Sequence, residues 1–194
     1  MDRLQKPHLN LASWSALILL LIPLGSRADE LIVNYGGGSQ ESSRQENRTT
    51  GVDYAFYRRE KSQRQHLLIG VSYSYLSTDA NEHKKIHAFS IYPQLSLFPP
   101  ADGKFAGIFP GWAQPYFFVR ALGPSYISGN QLGDREQSNH FAFQAQVGFG
   151  LQLDFGDDGK GIVSLSFKHF SNANFFEDND GLDFPVVLSL GVEY

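Results

Sequence analysis

Alternation of apolar and polar residues along eight stretches predicts an all-β chain, an eight-stranded antiparallel transmembrane β-barrel of the bacterial outer membrane. Three observations carry that reading. The apolar rows are rich in aromatics, as the girdles of membrane barrels are. The opposing rows are Gly, Ser and Gln, too small and polar for a dry core but suited to the lumen of a narrow barrel. The last stretch also ends on Tyr194, in its apolar row, a common feature of outer-membrane barrels.

The N-terminus supplies the export signal that such a barrel needs. Arg3 and Lys6 precede the apolar run Leu17-Ile18-Leu19-Leu20-Leu21-Ile22, and Ser26 and Ala28 occupy the positions a signal peptidase reads. The run is shorter than the roughly 20 apolar residues of a spanning helix. Residues 1–28 are therefore expected to be a cleaved signal peptide, and 29–194 a single barrel domain.

The strands follow in order. The first, 30–37, places Leu31, Val33 and Tyr35 on its apolar row; the second, 51–58, places Val52, Tyr54 and Phe56 there. The third, 66–76, sets Leu67, Ile69, Val71, Tyr73 and Tyr75 against Gly70, Ser72 and Ser74, and the fourth, 86–97, sets Phe89, Ile91, Leu95 and Leu97 against Ser90, Gln94 and Ser96. In the fifth, about 114–123, Phe118 and Leu122 blur the alternation. The sixth is the clearest, with Phe141, Phe143, Ala145, Val147, Phe149, Leu151 and Leu153 opposing Gln144, Gln146, Gly148, Gly150, Gln152 and Asp154. The seventh, 161–171, carries Val163, Leu165, Phe167, His169 and Ser171 on one face; the eighth carries Val186, Leu188, Leu190, Val192 and Tyr194.

With both termini on the periplasmic side, the outer connections fall at 38–50, 77–85, 124–139 and 172–183, and the inner ones at 59–65, 98–113 and 156–160. Arg58, Arg59, Lys61 and Arg64 are then expected in a solvated periplasmic turn. Gly36-Gly37-Gly38 precedes a polar loop and no helix, so it is no phosphate cradle.

Composition removes other classes. Without Asp2, Arg3, Lys6 and Arg27 the 16 basic and 20 acidic residues become 13 and 19, a net charge of −6 that argues against a nucleic-acid partner. There is no cysteine, which excludes disulfides and thiolate chemistry. Mean hydropathy is −0.26, and nothing after the signal is long and apolar enough for a helical membrane protein.

The chemistry points to the seventh strand. Its apolar row runs directly into His169 and Ser171, so a base and a nucleophile face the same way as the lipid-facing side chains. Eight residue steps from Gly161 to His169 cover ~26 Å of strand, or ~20 Å of membrane normal at ~40° tilt, which reaches the outer rim of the apolar band. Acyl esters of lipopolysaccharide lie at about that depth. Acyl transfer needs a nucleophile, a base, an orienting acid and donors for the oxyanion; Ser171 and His169 are the candidates for the first two. His-x-Ser alone is also a common coincidence at an interface.

The segment His169-Phe170-Ser171-Asn172-Ala173, followed by Asn179-Asp180-Gly181 and an acid at Asp183, resembles the lipid A 3-O-deacylase (PagL) family. Its pattern is His-aromatic-Ser-Asn-Ala, then Asn-x-Gly and an acid twelve residues after the serine. A looser likeness extends back through Phe143, Ser128-Gly129 and Pro115-Tyr116. The resemblance implies an esterase that removes the ester-linked 3-hydroxyacyl chain from position 3 of lipid A, with Ser171 as nucleophile, His169 as general base and Asp183 as acid. The family has Glu at that last position, so Asp183 is one methylene, ~1.5 Å, shorter. Glu177 and Asp180 are the substitute acids. Asn172, Asn179 and Gly181 are the candidates for oxyanion donation or loop orientation, and Asn174, where the family often has Gly, suits a positive φ.

Simple alternation puts Asp183 in phase with Val187 and Ser189, on the lumen row; Pro185, which cannot donate to a ladder, marks either a bulge or a late strand start. The implied partners are lipid A and the lipids of the outer membrane, a homodimer is compatible with the sequence, and the chemistry calls for no cofactor or metal. A non-catalytic structural or adhesion barrel is the alternative, and a soluble ligand-binding barrel the third reading.

Overall fold

The computed structural model describes residues 30–40, 45–100, 108–156, 159–176 and 179–194; the expected signal peptide, residues 1–28, and Glu177 lie outside them. The eight expected strands are present: β1 (Glu30–Ser39), β2 (Glu46–Ser62), β3 (Gln65–Thr78), β4 (Lys85–Leu97), β5 (Ala113–Ile127), β8 (Phe141–Asp154), β9 (Lys160–Ser171) and β10 (Leu182–Glu193). Two-residue strands β6 (Gln131–Leu132) and β7 (Arg135–Glu136) form a small hairpin between β5 and β8. The eight long strands pair antiparallel in sequence order, and β10 closes on β1, so the sheet has no free edge.

One end, the loop end, carries the connections after β1, β3, β5 and β9; the other carries the two chain ends of the barrel and the remaining connections. Most strands are longer than alternation alone suggested. β2 begins at Glu46 and ends at Ser62, because extended polar backbone pairs with β3 well beyond the apolar row. The first outer connection consequently shrinks from the expected 38–50 to 40–45.

The expected faces hold. Outward side chains are apolar and exposed, among them Leu31, Val33, Tyr35, Tyr73, Phe89, Ile91, Phe149, Leu165, Leu188 and Leu190. A soluble barrel has the reverse arrangement, so the ligand-binding soluble barrel is excluded. The interior is layered rather than uniformly polar. At the loop end Leu76, Ile86, Ile127, Leu132, Phe170, Leu182 and Phe184 form an apolar plug. Towards the other end Ile32, Phe98, Tyr116, Phe118 and Ile162 form a second.

Between the plugs lies a hydrogen-bonded middle. Arg120 pairs with Asp53 at 2.5 Å and donates to Gln94 and Gln146; its guanidinium lies 3.9 Å from the Tyr92 ring centre. Ser72 donates to Asp53, Gln146 donates to Ser166, and Lys168 donates to Ser74. Arg58, expected in a solvated turn, instead points inward and pairs with Glu30 and Glu193. Its burial follows from a bulge: β2 carries an extra residue between Ala55 and Tyr57, which moves Arg58 from the outward phase of Val52 and Tyr54 to the lumen row, opposite Leu68.

Register slips in β2, β5 and β10 reset the alternation. In β5 the register slips between Arg120 and Gly123, and Leu122 takes φ +55°. This extra residue accounts for Leu122 in the blurred pattern, whereas Phe118 blurs it by turning a large apolar ring into the second plug. In β10 the register on β9 slips between Phe184 and Val187: three steps of β10 oppose two of β9, a bulge at Pro185 and Val186. β1 makes room for it with glycine. A Cβ on Gly36 would lie 2.0 Å from the Val186 carbonyl oxygen, and one on Gly38 3.3 Å from the Pro185 ring. Gly36 and Gly38 admit the bulge, a role that their sequence context did not reveal, whereas a Cβ on Gly37 would meet the Asn47 carbonyl oxygen of β2 at 2.0 Å.

The polar middle yields a stability expectation. Arg120→Leu strands the buried Asp53 carboxylate and should cost about 3–5 kcal/mol, read as a lower urea midpoint for loss of heat-modifiable gel migration. Adding Asp53→Asn should recover most of that loss.

Candidate active site

Along β9 the odd residues point outward and the even ones into the lumen. His169 and Ser171 therefore share the outward face with Leu165 and Phe167, as the alternation predicted. The His169 ring lies nearly parallel to that of Phe167, with an interplanar angle of 15° and centroids 6.3 Å apart. Ser171 ends the strand directly opposite Phe143 of β8.

Asp183 is where the bulge matters. Leu182 and Phe184 point inward before it, and Val187 and Ser189 point inward after it. The added residue thus inverts the phase, so Asp183 faces outward although Val187 faces inward. Asp183 stands directly across the ladder from His169, and its Oδ1 lies 2.6 Å from His169 Nδ1. That length is typical of a charge-assisted bond. The two side chains are 20% and 32% exposed, so water screens the pair only partly.

Gly181 completes the seat of the imidazole. It takes φ +61°, and a Cβ there would lie 2.9 Å from His169 Cε1. Glycine is required twice, for backbone conformation and for space.

The structure thus brings His169, Asp183 and Gly181 together and leaves Ser171 one pleat repeat along, ~6.6–7 Å between Cα atoms. No hydrogen bond joins the Ser171 hydroxyl to His169 among the described residues. Such bonds are often long before substrate binds.

The two asparagines shape the loop. Asn172 is buried; its N–H donates to Asn179 Oδ1 at 2.9 Å, its Nδ2 to Ser138 Oγ at 3.2 Å, and its Oδ1 accepts from Asn174 N–H at 2.9 Å. Asn179 Nδ2 returns to Asn174 Oδ1 at 2.8 Å. Ala173 and Asn174 take φ +54° and +59°; Asn tolerates that region, whereas Ala pays strain of about 1–2 kcal/mol. Asp180, a substitute acid, is engaged elsewhere: its Oδ2 accepts the Glu136 N–H at 2.9 Å and its own N–H donates to the Glu136 carbonyl.

Sequence reasoning missed Gln40, Gln45 and Asn47. Gln40 Nε2 donates to Asp183 Oδ2 at 2.7 Å, and Asn47 Nδ2 donates to Gln40 Oε1 at 2.7 Å. They lie more than 130 residues from Asp183 in sequence, and only closure of β10 on β1 makes them neighbours.

The family described as lipid A 3-O-deacylase (PagL) matches residues 48–192 of the chain. Among solved structures, that of the outer membrane enzyme PagL superposes with a TM-score of 0.60 at 17% identity, covering 84% of this chain and 98% of that one. The structure of Neisserial surface protein A (NspA) superposes with a TM-score of 0.50 at 9% identity, covering 86% and 96%. At these identities the superpositions speak to the fold. No curated protein sequence matches the chain.

The geometry can be tested in a chain with no native cysteine. Directly opposed residues of an antiparallel pair have Cα atoms ~4.5–5.5 Å apart, within disulfide range. The double variant His169→Cys, Asp183→Cys should therefore lose its free thiols on mild oxidation. Deleting Pro185 as well should turn residue 183 into the lumen and leave both thiols titratable.

Proposed function

The chain belongs to the lipid A 3-O-deacylase (PagL) family of outer-membrane enzymes, and from that premise we propose that Ser171, His169 and Asp183 form its triad. They would cleave the 3-O-linked 3-hydroxyacyl ester at the lipid-facing outer rim of the barrel. The observation that carries this is the His169–Asp183 bond of 2.6 Å on the outward face. A structural barrel has no use for a half-buried imidazole–carboxylate pair aimed at lipid, nor for the bulge that creates it.

The steps follow from the chemistry. Ser171 Oγ attacks the ester carbonyl carbon while His169 Nε2 takes its proton. Asp183 fixes the imidazole with Nε2 towards the serine and stabilises the imidazolium. Collapse transfers the acyl group to Ser171, and the sugar oxygen leaves with the proton from His169. Water, activated by the same imidazole, then releases the 3-hydroxy fatty acid. Asn172, Asn179 and Gly181 act by shaping the loop and seating the ring. Placement at the rim brings the triad to the depth of the acyl esters, so the lipid need not leave the membrane.

Ser171→Ala and His169→Asn should each abolish deacylation of purified lipid A in detergent, read by mass spectrometry as retention of the hydroxyacyl group. Asp183→Asn should slow it about 10⁴-fold, and Asp183→Glu should be tolerated. All four should keep heat-modifiable migration, since neither plug nor polar middle is touched. Full activity in Ser171→Ala would eliminate the proposed nucleophile. Full activity in Asp183→Asn alone would move the acid elsewhere.

A further inference from the structure

We propose that Gln40, in the connection between β1 and β2, is a positioning residue of the reaction, clamping the Asp183 carboxylate on His169. The inference rests on the triad reading above and adds a residue that reading does not contain.

Gln40 grips Asp183 at two points. Its Nε2 donates to Oδ2 at 2.7 Å, and its Oε1 accepts the Asp183 main-chain N–H at 3.0 Å. The second contact decides the first: with Oε1 on the N–H, the amide nitrogen must face the carboxylate. With His169 on Oδ1 and Gln40 on Oδ2, both oxygens are held, and the carboxylate cannot rotate away from the ring.

Gln40 is itself held. Asn47 Nδ2 donates to Gln40 Oε1 at 2.7 Å and to the Asp183 carbonyl at 3.2 Å. Gln45 Nε2 donates to Asn47 Oδ1 at 2.9 Å and to the Leu132 carbonyl at 3.2 Å, and Gln45 Oε1 accepts the Asp134 N–H at 3.0 Å. The Gln40 N–H donates to the Gln45 carbonyl at 3.1 Å. All three side chains are buried, so each lost bond would leave an orphaned polar group. Two connections, after β1 and after β5, thereby reach the catalytic acid. A short Asp has less freedom than Glu to find the imidazole by bending, so a fixed carboxylate serves it well.

The test uses Gln40→Met, which keeps the side-chain length and removes the amide, in full-length refolded barrel. Two readings are taken: steady-state deacylation of lipid A, and the rate at which a fluorophosphonate labels Ser171, which stays measurable in slow variants. Gln40→Met should lower kcat about 100-fold with KM within about twofold. It should cause no further loss of labelling rate when Asp183 is already Ala, because it acts only through that carboxylate.

An unchanged kcat in Gln40→Met, with Asp183→Ala slow, overturns this inference and spares the triad. An equal loss in both backgrounds also overturns it, since Gln40 would then merely brace the loops. Wild-type rates in Asp183→Ala defeat the triad and this inference together. Should Gln40→Met fail to fold, Gln40→Glu takes its place. It keeps the shape, sets a second carboxylate against Asp183 and should show the same loss and the same non-additivity; wild-type activity there would overturn the proposal.

Discussion

A single extra residue in β10 governs which side of the barrel the acid faces. Strand alternation has a period of two, so one inserted residue sends every side chain beyond it to the other face. The bulge at Pro185 and Val186 lets Val186, Leu188, Leu190 and Val192 stay on the apolar outside while Asp183 also stands outside, across from His169. Without it, Asp183 would enter the lumen or the apolar row would. Proline supports the break because it donates no ladder bond, and Gly36 supplies the space against the Val186 backbone. The direct cross-strand pairing also explains how a side chain one methylene shorter than Glu reaches the ring.

The barrel has to hold that pair rigid while turning its apolar face outward. The apolar outer rows obtain little from each other in a bilayer, so packing and hydrogen bonds inside the lumen do more of the work. Two apolar plugs and a polar middle share it. Arg120 touches side chains from β2, β4 and β8, tying three strands through one guanidinium. The loop-end plug includes Phe170, Leu182 and Phe184, the inward neighbours of His169 and Asp183. The same two strands therefore anchor the core on one face and present the His169–Asp183 pair on the other.

Much of this was legible in the sequence because period-two alternation records burial directly. The eight strands, their outward rows and the shared face of His169 and Ser171 could be read from it. The fifth strand blurred because an extra residue at Leu122 shifts its phase and because Phe118 belongs to an apolar plug inside the lumen. The phase of Asp183 stayed open because a proline is compatible with a bulge or with a late strand start, and only the register decides. Arg58 was misplaced because β2 runs on past its apolar row and carries an extra residue between Ala55 and Tyr57 that shifts its phase. Gln40, Gln45 and Asn47 carried no local signal; they become part of the site when the first and last strands meet.

The central claim is that the outward-facing serine at the loop end of β9 performs the attack. The most direct measurement is to treat the active, refolded enzyme with a serine-directed fluorophosphonate and locate the adduct by peptide mass spectrometry. The account predicts a single adduct on Ser171, proportional to lost deacylase activity and absent in His169→Asn over the same interval. An adduct on another residue that tracks the loss of activity, or full inactivation with Ser171 unmodified, would contradict it.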